Sequence, residues 1–405
     1  MSAIRSVDLG RIYDSRGRPT VEARVVADSG ARGTAGAPSG ESTGRHEVQA
    51  FPDGGVPVAL DRFRELVRPR LVGAALDLGG VDALLHDIDG SPRFERIGGN
   101  VATAVSVAVA LTVADERQCP LVDVLRRPGV EPDRYPAIVG NCMNGGRHAI
   151  GGPDIQEFIA FSPAPRPEDA IRAALAVHAE IGSALHARYP KAALGRGDEG
   201  GWVAPIPNVE ALELLAAACA AVRDRLGVPV HPGVDVAASE LYRDGRYRYR
   251  EQTLDDAGQL GFLTDLTDRF GLRYIEDPFD EEAFGPTAEL TRAVGGRAMV
   301  VGDDLYTTDV DRVRRGIAAR STNAVLIKVN QVGTVTDAAR AVDEARSHGL
   351  ATVTSHRSGE LPEGWLAHAA VGFGSAGLKC GLLGGERVAK LNELLRLGGA
   401  TGAPR

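Results

Sequence analysis

From about Tyr135 onward, short β-branched apolar runs alternate with longer segments whose apolar residues recur every three or four positions. YPAIVGN, IQEFIAF, HPGVDVA, LRYIEDPF, RAMVVGDDL, NAVLIKVN, LATVTSHRS and AGLKCG read as strands. Between them PEDAIRAALAVHAEIGSALHARY, NVEALELLAAACAAVRDRLG and TVTDAARAVDEARSHG read as amphipathic helices, the last two closing on glycine. Strands interleaved mostly with helices in this way predict an α/β fold, a (β/α)8-type barrel over 135–405, rather than an open doubly wound sheet. The first part of the chain has another rhythm: RPTVEARVVAD alternates as a strand, and GGNVATAVSVAVALTVADERQ is helical. It predicts a smaller N-terminal α+β domain over 1–128 that caps the barrel.

Polar residues interrupt this pattern at regular places. Asp235, Glu276, Asp303, Lys328, His356 and Lys379 each stand at or just past the end of an expected strand, 41, 27, 25, 28 and 23 residues apart. Most steps equal about one strand–helix unit, so these side chains should meet at the barrel mouth, where such barrels hold their active sites. The longer first step contains the hairpin-like LYRDGRYRYRE.

The chemistry of the set is specific. Asp235, Glu276 and Asp303 are hard oxygen donors suited to Mg²⁺. Only four of the 46 basic residues are lysines: Lys191, Lys328, Lys379 and Lys390. A chain that uses arginine wherever charge suffices, yet ends the apolar run Ala324–Ile327 in Lys328, calls for a cation able to lose its proton, hence a base. Nearby metal charge and burial would lower its pKa. Glu199, in the glycine-rich GRGDEGG, is a candidate general acid. SHRSGE, Ser355–Glu360, places His356, Arg357 and Ser358 on one strand end as a phosphate clamp. GAPSGESTG, Gly36–Gly44, reads as a flexible segment, either a lid able to close over a ligand or an ordinary surface loop. His148 and Glu157, flanking HAIGGPDIQE, can reach the same mouth.

Composition narrows the partners. A net charge of −8 excludes nucleic acid or an anionic membrane as the main partner, so an anionic substrate must be held by local cations. No apolar run approaches the ~20 residues needed to span a bilayer. Four scattered cysteines and a charged N-terminus predict reduced thiols in a cytoplasmic protein.

Taken in order, YDSRGRPTVE, NGGRHA, DIQEF, GDEGG, DVAASE, IEDPF, GDDL, LIKVNQVGT, SHRSGE and ERVAKLNELLR resemble the enolases, the phosphopyruvate hydratases, over nearly the whole chain. The resemblance implies loss of water from 2-phosphoglycerate to give phosphoenolpyruvate with two Mg²⁺ ions, carried out by a homodimer or higher homo-oligomer. Carried over residue by residue, it makes Lys328 the base at C2 and Glu199 the acid at the C3 hydroxyl. Asp235, Glu276 and Asp303 become ligands of one metal, and Ser42 helps hold the second. Arg357 and Ser358 would face the phosphate beside His356, and Lys379 the carboxylate. His148, Gln156 and Glu157 would line the leaving-group side, with Glu157 and His356 counted among the catalytic residues. A lysine base working beside Mg²⁺ is a known feature of this superfamily.

The chain departs from the family pattern near the site. The usual Ser-Gly-Ala-Ser-Thr is Ser39-Gly40-Glu41-Ser42-Thr43, Leu361-Pro362-Glu363 replaces Thr-Glu-Asp, Cys380-Gly381-Leu382-Leu383 replaces Thr-Gly-Ala-Pro after the lysine, and Trp202 replaces phenylalanine. Glu41 adds negative charge to a segment closing over an anion and should repel it unless an arginine or metal compensates. That leaves two alternatives: a specialised paralogue acting on a related phosphonate or phosphinate, and a non-catalytic binding protein on the same scaffold.

Overall fold

The computed structural model describes residues 2–41, 43–191 and 194–399. The chain opens with three antiparallel strands, β1 (Ile4–Tyr13), β2 (Pro19–Ala27) and β3 (Arg32–Gly36), in the order β1-β2-β3. Against them packs the helix Gly99–Glu116, whose alanines and valines are buried on every side. A helix apolar all round has no solvent face to offer, so it lies between the sheet and its neighbours. Tight packing is possible because Gly33 has no Cβ where β3 meets this helix.

Eight strands then close a barrel: β4 (Ala137–Asn144), β5 (Glu157–Ser162), β6 (His231–Asp235), β7 (Tyr274–Glu276), β8 (Met299–Gly302), β9 (Ala324–Ile327), β10 (Ala351–Ser355) and β11 (Gly377–Gly381). Closure comes from the pairing of β11 with β4. Each strand coincides with one of the eight apolar runs, and the helices Pro167–Arg188, Asn208–Leu226 and Val335–Ser347 with the three periodic segments. The hairpin-like insertion forms the strands Tyr242–Arg243 and Arg246–Arg248.

One strand breaks the parallel rule. β5 follows β4 without a long helix and runs antiparallel to both β4 and β6. Inside the barrel Val139, Ile159, Tyr274, Val301, Ala324, Leu326 and Val353 form a small apolar plug. Larger clusters fill the space between strands and outer helices, and between the N-terminal sheet and the barrel. Among the described residues no helix is long and apolar enough to cross a membrane.

A Cβ on Gly33 would sit 2.2 Å from the Ala108 carbonyl oxygen and 2.7 Å from the Thr112 nitrogen, both backbone atoms that cannot swing away. Gly33→Ala is therefore expected to cost about 1–3 kcal/mol of stability, read as a lower urea midpoint with an unchanged slope.

Candidate active site

The strand register brings carboxylates together first. Glu276 ends β7 and Asp235 ends β6, and the two are direct partners across the parallel pair. Glu157 opens β5 and is the partner of Asp235 on its other side. Because β5 is reversed, its first residues rather than its last reach the mouth. That is why Gln156 and Glu157 precede their apolar run whereas Asp303, Lys328 and His356 follow theirs. Lys379 lies within β11, paired in register with Ser355 of β10.

Three neighbouring carboxylates this deep repel one another and lose their water. Lys379 answers both problems. Its Nζ lies 2.9 Å from Asp235 Oδ2, 2.7 Å from Glu276 Oε1 and 3.4 Å from Glu157 Oε2. Burial opposes the lysine's charge, but these carboxylates outweigh it and hold its pKa well above the usual range. Glu276 is pushed up to about 8 by burial and by Asp235, with Lys379 pulling the other way. Its second oxygen accepts from the Tyr274 hydroxyl at 2.6 Å.

Lys328 Nζ donates to Asp303 Oδ2, and Gln331 Nε2 donates to Asp303 Oδ1 at 2.8 Å. Burial would lower the Lys328 pKa, but Asp303 outweighs burial and raises it. The neighbouring charge here is a carboxylate, whereas the lowered pKa expected of Lys328 belongs to the protein with metal bound. Asp303 is held below its ordinary value, against burial, by Lys328 and Lys379.

Asp277 and Asp304 also come close to Asp303. Asp277 is committed to the backbone, accepting from the Asp303 and Asp304 N–H groups at 2.8 Å each. It holds the turn that aims Asp303, at a φ of 39° that non-glycine residues rarely adopt.

The opposite wall carries Glu199, which accepts from Asn141 Nδ2 at 3.0 Å and lies 3.4 Å from His356 Nε2. His148 Nδ1 stands between Glu157 Oε1 at 3.6 Å and Glu199 Oε1 at 3.9 Å. Their environments separate the two glutamates. Burial and the Glu199 charge drive Glu157 well above the ordinary carboxylate range, whereas His356, His148 and Arg387 overcome burial to hold Glu199 well below it. The two glutamates are thus pushed apart in their affinity for a proton, Glu157 upward and Glu199 downward.

Arg387 lies outside the set that the sequence pattern picks out. Fully buried, it donates to His356 Nδ1 at 2.6 Å and to the Ser358 carbonyl at 2.6 Å. An arginine cannot accept, so His356 Nδ1 is the acceptor and its proton sits on Nε2, toward Glu199. Arg357 is fixed by Glu47, at 3.0 and 3.1 Å, and by Asn330 Oδ1 at 2.9 Å. Ser358 Oγ accepts from the Glu41 N–H at 2.7 Å. Asn330 and Gln331 lie in the quoted LIKVNQVGT, where their amides could have been suspected. Arg387 lies in the quoted ERVAKLNELLR, whereas Glu47 lies in none of the quoted motifs.

These groups surround a cavity of about 30 Å³, lined by Gly40, His148, Gln156, Glu157, Glu199, Asp235, Asp303, Lys328, His356, Arg357, Ser358 and Lys379 among others. Glu276 lies just behind it, against Lys379. Ser42 lies outside the described residues. Several buried polar atoms around the cavity lack a hydrogen bond: His148 Nδ1, Gln156 Oε1, Glu157 Oε2 and His356 Nε2. Unmade bonds of this kind are costly unless a ligand completes them. Asp235, Glu276 and Asp303 are hard oxygen donors, each engaged here by an ammonium group. Among the described residues, the three acids whose oxygens lie within 4.8 Å of one another are Asp277, Asp303 and Asp304.

Two family models match the chain: "Enolase, N-terminal domain" over residues 4–125, and "Enolase, C-terminal TIM barrel domain" over residues 134–404. Proteins named enolase match at full length. That of Natronomonas pharaonis is 43% identical, covering 98% of this chain and 99% of its own. That of Picrophilus torridus is 40% identical, covering 97% and 98%, and that of Methanothermobacter thermautotrophicus 41%, covering 98% and 96%.

Burial moves the His356 pKa from the usual 6.5 down to about 4, with Arg387 adding to burial and Glu199 opposing it. A lowered histidine pKa means that the unfolded chain binds the proton more readily. This contribution to stability is therefore complete above about pH 6.5 and fades as pH falls toward 4. Ring ¹⁵N shifts should show His356 neutral, with its proton on Nε2, from pH 8 down to 5.

Proposed function

The chain belongs to the enolase family, and from that premise we propose how its residues divide the work of a carbon–oxygen lyase that dehydrates 2-phosphoglycerate to phosphoenolpyruvate. Lys328 takes the C2 proton. The electron pair left behind spreads into the neighbouring carboxylate, then forms the C2–C3 double bond as the C3–oxygen bond breaks. Glu199 delivers a proton to the departing hydroxyl, which leaves as water.

The observation that carries this reading is the presence of both groups on one cavity, the Lys328 amine on the Asp303 side and the Glu157 and Glu199 carboxyls on the other. Lys328 can act as a base only when neutral. Once the Asp303 charge is engaged elsewhere, burial and the Arg357 and Lys379 charges work to lower the lysine's pKa, with Glu276 opposing them. Glu199 must receive its proton before giving it, and His148, between the two glutamates, offers a route from Glu157. Glu157 and His356 serve as proton-holding partners of Glu199.

Arg357 and Ser358 hold the phosphate, and Glu47 and Asn330 keep the guanidinium oriented for it. Lys379 faces the substrate carboxylate. Two Mg²⁺ ions, held by Asp235, Glu276 and Asp303 with Ser42 serving the second, would supply the positive charge that a doubly charged carboxylate demands. His148 and Gln156 line the side from which water departs. The same reading makes the protein a cytoplasmic homodimer or higher homo-oligomer.

Glu41 no longer favours a different substrate, because Arg16 and Arg18 both pair with it. These arginines outweigh partial burial and hold its carboxyl below the ordinary range.

With 2-phosphoglycerate and Mg²⁺, absorbance at the phosphoenolpyruvate band should rise, and chelation should stop it. Lys328→Arg keeps the charge but cannot act as a base, so both turnover and C2 proton exchange should fall by about 10²–10⁴-fold. Exchange at the wild-type rate would remove Lys328 from the mechanism.

A further inference from the structure

The segment Gly36–Glu41 is seated on the pocket wall. Ser39 and Gly359 exchange backbone N–H to carbonyl bonds of 2.8 Å in both directions, and Gly40 lines the cavity. The Glu41 carboxylate then reaches sideways to Arg16 and, at 2.8 Å, to Arg18. Arg16 has a second partner: its Nε lies 3.0 Å from Asp198 Oδ2. Asp198 immediately precedes Glu199. One guanidinium therefore joins carboxylates from two loops that are far apart in sequence.

The turn that bears Arg16 is itself firmly placed. Asp14 Oδ1 accepts from the N–H groups of Arg16 and Arg18 at 2.9 Å each, and the Ser15 N–H donates to the Glu360 carbonyl at 2.8 Å. Outside this cluster lies a wider cavity of about 710 Å³, lined in part by Arg16, Glu41, His148 and Asp198. His148 lines both this outer cavity and the small inner one, and Gly40, next to Glu41 in the chain, lines the inner one.

We propose that Arg16 is a positioning residue that clamps the Glu41 segment and the Glu199 loop to each other, so that both take up their working geometry together. Isolated exposed ion pairs contribute little, but a fork that binds two carboxylates at once on a fixed turn can set the relative position of both loops. Among the described residues the Arg18 side chain forms its ion pair with Glu41, so it does not span the two loops. The inference rests on the reading of the inner cavity as the active site, but it concerns the order of two loops in the absence of substrate.

The test is amide hydrogen exchange on the ligand-free, full-length protein. Arg16→Gln should speed exchange about tenfold in two stretches, Gly36–Glu41 and Gly195–Gly201. Arg18→Gln and Glu41→Gln should speed it in the first stretch more than in the second. Arg16→Lys, whose ammonium lacks the planar fork, should recover only part of the protection. Steady-state turnover adds a second readout: Arg16→Gln should lower kcat by a larger factor than it raises KM, because it displaces Glu199. Arg16→Gln exchange within twofold of wild type in either stretch, or equal effects of Arg18→Gln on both, would overturn the proposal. Since no substrate is present, absence of 2-phosphoglycerate turnover would overturn the functional reading while leaving this result to stand on its own.

Discussion

A single ammonium group makes the barrel mouth possible. Asp235, Glu276 and Glu157 occupy adjacent register positions on three strands, and nothing in the apolar plug beneath them can share their charge. Lys379 Nζ lies within 3.4 Å of all three. Removing one partner from such an arrangement leaves uncompensated buried charge, which costs far more than an exposed pair contributes. The pocket is therefore organised around these contacts, with Lys328 and Asp303 repeating the device on the next strands. A site of this kind is organised before any ligand arrives, but its charges are already satisfied by its own residues. A bound cation must displace or share these contacts.

The same balance explains why an added acid near the pocket is tolerated. Glu41 would repel an anionic substrate if its charge faced the cavity unaided. Two arginines of the Asp14–Arg18 turn draw it aside, while only its backbone N–H is spent on Ser358. The altered residue thus acts through its neighbours on the turn, and the composition of the inner wall is left as the rest of the family pattern implies.

Much of the barrel could be read in advance because strand ends repeat at nearly one strand–helix unit, and polar residues there stand out against apolar runs. The direction of β5 could not, since an apolar run of its length has no polarity of its own; only the absence of a helix between NGGRHA and DIQEF hinted at it. The scarcity of lysine singled out Lys328 and Lys379, but it also covers Lys390, which is buried for a structural reason. Lys390 Nζ pairs with Glu360 at 2.8 Å and donates to the Leu361, Glu363 and Glu386 carbonyls. Rarity alone therefore decides nothing, since Lys191 is exposed and Lys390 is a brace; position at the mouth is what sets Lys328 and Lys379 apart. Arg387 and Glu47 escaped notice because each acts on another side chain across a long sequence separation, which no local pattern records.

Trp202 replaces the family's phenylalanine at the end of the loop that carries Glu199. Its indole N–H donates to the His178 carbonyl at 3.0 Å, and Arg196 lies over its ring at 5.0 Å. The chain has just one other tryptophan, Trp365, which opens a helix on the barrel's outer layer. The acid-bearing loop thus carries a built-in optical label: its emission is sensitive to the cation above the ring and to water at the indole, so movements of this loop can be followed by light without attaching a dye.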